Sequence, residues 1–263
     1  MCASVPEQTT YPHDYRLICE SDPAPIIVGG QAINLWAISF LQPGAPDLAS
    51  KVYGSKDLDI LANTKVLAYL KKLPGWVYKP QSFRNWMDTR VATLHGMTRD
   101  GRKLLVEVLH SVHGLEAQDL KTAEYVRQGG GVYRVLDPIV MMKAKAANLR
   151  DLDQAGPPPR QDRHHLQLIS RCVPLYLREV HQIAVETRDP AAEKQAVRTL
   201  NRAFKILQDP KTAGTLSGEQ ISSAALVPEE FAQSPLERIR RSIEYQMPIL
   251  EIQQRGRGPG LQP

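Results

Sequence analysis

Cysteine is scarce in this chain. Cys2, Cys19 and Cys172 share no metal-ligand spacing and cannot pair completely, which argues against a disulfide framework and favours a reducing compartment. The expected localisation is therefore cytoplasmic. Long hydrophobic runs are also missing: "IIVGGQAINLWAISFL" is too short to span a bilayer and is broken by Gly-Gly and Asn. The opening "MCASVPEQTTYPHDY" lacks the basic and apolar regions of a signal peptide. Neither the full dinucleotide-binding fingerprint nor the phosphate-loop pattern occurs, and there is no internal repeat. A strong imbalance of charge is missing too. Lys and Arg number 33 against 28 Asp and Glu, a net charge of +5. Residues 1–133 carry 14 basic against 13 acidic side chains and residues 134–263 carry 19 against 15. A mild basic excess in the second half suits a polyanionic partner without requiring one, because a solvated helix face explains it equally.

What is present suits a globular protein: 263 residues with 42% apolar and 23% charged side chains are enough for one large domain or two modest ones. "PIIVGGQAINLWAISFL" reads as a strand ending at Gly29-Gly30, then a helix with Ala32, Leu35 and Trp36 on its apolar side. "QPGAPDLAS" reads as a loop, "KDLDILA" as a strand, and "TKVLAYLKKL" as a helix stopped by Pro74-Gly75. "GWVYKP", "RVATLHGM" and "KLLVEVLHSV" are strand-like, the last two joined by an Asp100-Gly101 turn. From Pro138 the pattern is helical: "DPIVMMKAKAANLRDLD", then "RHHLQLISRCVPLYLREVHQIAV" with Pro174 expected to kink or divide it, then "PAAEKQAVRTLNRAFKILQD" and "SPLERIRRSIEYQ". Residues 210–234 show little pattern. The expectation is an α+β fold: a mixed sheet flanked by helices over residues 1–150, a helical domain over 151–250, and a disordered tail over 251–263.

The chemistry concentrates in "VYGSKDLDIL", residues 52–61. Side chains alternate along an extended chain, so Asp57 and Asp59 share a face while Leu58 and Ile60 point into a core. Two carboxylates that close repel, and a divalent cation is the usual remedy. On an exposed strand end the same pair would be two solvated aspartates. Gly29-Gly30, between strand and helix, would let backbone approach a phosphate, with unpaired N–H groups at the helix start. A tight turn explains the two glycines equally well.

In chain order these pieces resemble the nucleotidyltransferase domain of the DNA polymerase β superfamily, whose core motif is hG[GS], a spacer, then [D/E]h[D/E]h. "VGG" at 28–30 and "SKDLDIL" at 55–61 match it, and "KLLVEVLHSVHGL" looks like the strand bearing the third carboxylate, here Glu107. "YRVLDPIVMMKAKAANL" at 133–149 is similar to the following helix in bacterial uncharacterised or toxin-like members of abortive-infection type. The resemblance covers residues 24–150. It implies two Mg²⁺ ions (or Mn²⁺) held by Asp57, Asp59 and Glu107, with Gly29, Gly30, Ser55 and Lys143 binding a nucleoside triphosphate such as ATP. The family more often has Asp as the third carboxylate, so Glu107 also reads as an ion-pair partner of Lys103.

Other residues carry weaker signals. His110 and His113 in "HSVHG" read as surface groups, and His164-His165 as a poor chelate because they point different ways on a helix. Trp36, Trp76, Trp86 and Tyr78 read as packing residues, and Arg127 with "QGGG" as a flexible loop. Two function classes follow. One is a metal-dependent enzyme moving an NMP from an NTP to an acceptor hydroxyl on RNA, protein or a small molecule, with Arg160, Arg163, Arg198 and Arg202 available to an RNA acceptor. The other is a catalytically inactive binding protein that keeps the fold.

Overall fold

The computed structural model describes residues 10, 12–41, 55–81, 89–156 and 159–255. The loop read over "QPGAPDLAS", Trp86 and the end of the tail (256–263) lie outside them. The chain divides into two compact units, Met1–Asp137 and Pro138–Pro263. The sequence reading carried the first domain to residue 150, whereas the helix that opens at Pro138 belongs to the second unit.

The first unit is built on a seven-stranded mixed sheet with strand order β3-β4-β5-β2-β1-β7-β6. Its strands are β1 (Ile26–Val28), β2 (Leu58–Leu61), β3 (Val77–Pro80), β4 (Arg90–Met97), β5 (Lys103–Leu109), β6 (Ala123–Gln128) and β7 (Gly131–Leu136). Its helices are α1 (Arg16–Cys19), α2 (Gly29–Phe40) and α3 (Thr64–Leu70). The two parallel contacts, β1–β7 and β2–β5, flank the antiparallel pair β1–β2 at the centre of the sheet. Alternation makes the core: Leu58, Ile60, Val106, Val108, Ala92 and Leu94 are fully buried on three neighbouring strands. Helix α2 contributes Ala32, Ile33, Leu35 and Ala37 to that core, and the Trp36 indole donates to the Leu136 carbonyl at 2.7 Å.

One element escaped the sequence reading. The "QGGG" segment is the turn of the β6–β7 hairpin, not a flexible loop. Gln128 pairs with Gly131, so the turn is two residues long, and both Gly129 (φ 56°) and Gly130 (φ 76°) are left-handed. That is the turn whose twist matches the flanking strands, and it needs residues tolerant of positive φ. The Arg16 guanidinium ties it down by donating to the Gly130 carbonyl at 2.9 Å.

The second unit is helical: α4 (Pro138–Asp151), α5 (Asp162–Thr187), α6 (Pro190–Gln208), α7 (Pro210–Gly218) and α8 (Glu237–Arg255). Pro174 does not divide α5, which runs for 26 residues. Leu166, Ile169, Val173 and Leu177 are buried along it, so packing outweighs the missing backbone donor. Helix α4 buries Ile139, Val140, Met141, Met142, Ala144, Ala146 and Ala147, because α5, α6 and α7 all pack against it. The patternless stretch holds α7 and short 3₁₀ turns, α7 being capped by the Asp209 carboxylate, which accepts from the Thr212 N–H at 2.8 Å. Residues 251–255, expected in the tail, continue α8. Among the described residues no helix is long and apolar enough to cross a membrane.

A buried ionic cluster joins α4 to α5. Lys145 donates to Asp162 Oδ1 at 2.8 Å, Asn148 to the same oxygen at 3.3 Å, and Arg160 to Oδ2 at 2.6 Å. Burial pushes the Asp162 carboxyl up, but Lys145 and Arg160 more than offset that and hold it at about 2. Burial and then the Lys145 charge push the neighbouring His165 down to about 3. The imidazole is therefore neutral in the folded state, while the unfolded chain takes up a proton below about pH 6.5. Stability should thus fall as pH drops from 6.5 toward 3, by up to about 1.4 kcal/mol per unit. Urea unfolding at pH 7 and pH 5 should show a smaller drop in His165→Gln than in wild type; equal drops would remove His165 as the cause.

Candidate functional site

The site forms where β1 gives way to α2. Val28 pairs with Asp59 across the antiparallel β1–β2 ladder, and Asp59 pairs with Glu107 across the parallel β2–β5 ladder. Register partners point to the same face, so Asp59 and Glu107 stand side by side on the face opposite Leu58 and Ile60. Gly29 follows Val28 with φ 66°. A Cβ placed on Gly29 would lie 1.9 Å from Asp59 Oδ2 and 2.8 Å from its Cγ. The Asp59 carboxylate is thus laid directly against the Gly29 backbone, at the start of a 12-residue helix whose first N–H groups have no intrahelical acceptor. Gly30 is buried as the second residue of that helix.

Strand β2 begins at Leu58, so Asp57 lies at its lip instead of within it. The Ser55 hydroxyl lies 3.4 Å from Asp57 Oδ1, a long hydrogen bond. The segment before Asp57 is held by residues that the sequence reading did not single out. Thr10 and Ser55 exchange backbone hydrogen bonds at 2.7 and 3.0 Å, and the Thr10 hydroxyl donates to the Ser55 carbonyl at 2.7 Å. The Tyr15 phenol, fully buried, donates to Thr10 Oγ1 at 2.9 Å, and the Gln31 amide of α2 donates to the Thr10 carbonyl at 3.0 Å. Burial pushes the Tyr15 phenol up, and the negative charge of Asp57 adds to it, so Tyr15 stays a neutral donor. Gln31 alone carries a local signal, a polar residue at a buried position of an apolar helix.

Glu107 has a cation beside it, though not the one its sequence neighbours suggested. Lys103 was the expected partner; the Arg90 guanidinium, at the start of β4, bonds Glu107 Oε1 at 2.9 Å. Among the described residues no group of three or more His, Cys, Asp or Glu side chains is arranged to hold a metal ion. Asp57 and Asp59 are hard oxygen ligands of the kind Mg²⁺ uses one or two at a time with substrate phosphates completing its shell.

The remaining sequence candidates are each described by their own surroundings. Lys143 lies on α4 in the second unit, where its charge acts on Asp209. His110 and His113 are exposed, and the rings of His164 and His165 stand 6.1 Å apart at 47°. Trp36 stacks on Phe40, Trp76 lies 6.4 Å from Tyr15, and Lys71 sits over the Tyr78 ring. Arg160 and Arg163 are bonded to Asp162 and Glu219 within their own unit, whereas Arg198 is exposed.

No family model matches the chain, and no curated protein matches it in sequence. Among solved structures, it is similar to an antigenic nucleotidyltransferase-like protein from Paracoccidioides brasiliensis, at 16% identity and a TM-score of 0.40, over 64% of this chain and 79% of that one.

The Gly29–Asp59 contact has a measurable signature. Gly29→Ala should lose the left-handed backbone freedom and also push Asp59 out of place, costing more than about 1 kcal/mol. Gly129 is also left-handed but has nothing within 4 Å of an added Cβ, so Gly129→Ala should show the backbone cost alone. Denaturant titration should find Gly29→Ala the more destabilised; equal losses would mean that the carboxylate moves aside freely.

Proposed function

We propose that this chain is a metal-dependent nucleotidyltransferase that moves an NMP from an NTP to an acceptor hydroxyl. One observation carries the reading: a left-handed glycine at a helix start lies against the second carboxylate of a D-x-D pair, which itself stands in register with a carboxylate on the next strand. The order hG-G, D-x-D and later Glu is that of the polymerase β superfamily motif, and α+β architecture with a mixed sheet agrees with it. In the reaction the acceptor oxygen attacks the α-phosphorus, its bond to phosphorus forms as the bond to the bridging oxygen breaks, and pyrophosphate leaves with that electron pair.

Each residue has a task in this reading. Gly29 and Gly30 present backbone N–H groups to the triphosphate, and Ser55 adds a hydroxyl beside Asp57. Asp57 and Asp59 hold Mg²⁺, which when bound offsets charge on the phosphoryl oxygens. Glu107 is the acceptor-side carboxylate, steadied by Arg90, and takes or orients the acceptor proton. Lys143 is assigned to the phosphates by the family resemblance alone. The acceptor is RNA, a protein hydroxyl or a small molecule, with the exposed Arg198 available to an RNA.

The Arg90–Glu107 ion pair favours a second reading, in which the fold binds nucleotide without turnover. Incubation with each labelled NTP, Mg²⁺ and total RNA separates the two. Transfer by wild type that is lost in Asp57→Asn and Asp59→Asn supports the enzyme, the loss reflecting several kcal/mol of transition-state stabilisation. Glu107→Gln should also abolish transfer while Glu107→Asp keeps part of it. A fully active Glu107→Gln would leave Glu107 as a partner of Arg90 only, whereas nucleotide binding with no transfer in wild type would establish the second reading.

A further inference from the structure

The β6–β7 hairpin takes no part in the chemistry proposed above. Alternation divides its side chains between two faces. Val126, Tyr133 and Val135 are buried on one. The other carries Tyr125, Arg127, Val132 and Arg134, with Tyr125 directly opposite Arg134 and Arg127 directly opposite Val132. Tyr125 is 67% exposed; Arg127 and Val132 are exposed and Arg134 is half-buried. Opposite residues of an antiparallel pair place their Cβ atoms about 5 Å apart, and residues two apart on one strand are separated by about 7 Å. Arg134 and Arg127 are therefore both neighbours of Tyr125.

The two arginines are not spent on the protein itself. Among the described residues neither has a carboxylate partner. Glu124, the only carboxylate on the two strands, alternates to the opposite face. Glu20 accepts from the Val132 N–H at 3.4 Å, but its charge is matched by Arg16 at 3.2 Å. Arg16 also ties the two-glycine turn to α1, so the exposed face is held in place before any partner arrives.

This face is continuous in register with the face of the proposed centre. Val135 stands beside Ile27, and Ile27 beside Ile60. Those three share one side of the sheet, so Arg134 falls on the other side, with Asp59 and Glu107. Two strand spacings of about 4.8 Å and two residues of about 3.3 Å put Arg134 about 12 Å from Asp59 along the sheet.

We infer that this face of the hairpin binds single-stranded nucleic acid, with a base stacked on Tyr125 and backbone phosphates at Arg127 and Arg134. An exposed ring beside two unpaired cations matches both halves of such a strand, since every base has a stacking face and every phosphate needs charge. A duplex keeps its bases stacked inside and offers none to Tyr125. An acidic peptide would answer the arginines and give the ring no matching plane. As the place that holds an acceptor strand, the site rests on the nucleotidyltransferase reading; as a nucleic-acid site it does not.

Fluorescence anisotropy on the full chain with labelled oligouridine and oligothymidine, without NTP or Mg²⁺, tests the inference. At least one should bind. Tyr125→Ala should weaken binding at least about fivefold, while Tyr125→Phe, which keeps a stacking face, should bind as wild type does. Log affinity should fall linearly with log salt, and Arg127→Ala and Arg134→Ala should each reduce the slope by about 0.7. All four variants should melt as wild type does, because none of these side chains is buried. The inference is overturned if neither oligomer binds, or if Tyr125→Ala and the two arginine variants keep wild-type affinity and salt slope. Transfer to RNA by a protein with that second outcome would leave the transferase reading standing alone. Binding that Tyr125→Ala weakens, in a wild type with no transfer, would support the inference and remove the transferase reading.

Discussion

The Asp59 carboxylate rests on a glycine that has no room for a side chain, and much of the first unit is arranged around that contact. For Gly29 to face Asp59, β1 must run antiparallel to β2 with Val28 opposite Asp59. For Asp59 to stand on the polar face, Leu58 and Ile60 must be buried on the other, and both are fully so. A slip of one residue would turn the carboxylate into the core and leave the helix start facing a leucine. Hydrophobic burial therefore fixes the register, and the register fixes the site. Replacing either buried side chain with alanine would cost about 2–5 kcal/mol, which is why the pairing resists slipping.

The polar scaffold around the site is of a different kind. Thr10 bonds the backbone at Ser55, and Tyr15 and Gln31 in turn bond Thr10. None of them is charged at neutral pH, so they position the segment before Asp57 without altering its charge. Arg90 does bring a charge, and it brings it to Glu107. An ion pair whose members are 40% and 22% exposed contributes little to stability, so its consequence is orientation: it holds Glu107 beside Asp59 while satisfying one of its oxygens.

The second unit solves the converse problem, of burying charge. Asp162 is 2% exposed and Lys145 is 8% exposed by side chain. Such a pair is tolerable only because Asn148 and Arg160 satisfy the remaining lone pairs of the carboxylate. The neutral His165 beside it follows first from its own burial and then from the nearby Lys145 charge. The buried polar cluster thereby sets a pairing of α4 with α5 that the apolar stripes alone would leave less specific.

Much of this was legible in the sequence. Alternation identified β2 and β5, and the strand end at Val28 followed by glycines identified β1 and the start of α2, because local steric and hydrophobic periodicities are written residue by residue. Helical spacing identified the long helices of the second unit, and D-x-D with Gly-Gly singled out Asp59 and Gly29, which lie against one another. Where the reading departed from the structure, the deciding partner was distant in the chain. Glu107 is bonded to Arg90 because β4 and β5 pair, not because of the nearby lysine. Pro174 sits in an unbroken helix because α4 packs along it, and Gly129-Gly130 is a hairpin turn because β6 and β7 find each other. The sequence by itself determined which residues alternate, which cap and which carry charge. Only the tertiary structure decided which charges meet and which glycine must remain one, because those depend on atoms brought close by packing and not by spacing along the chain.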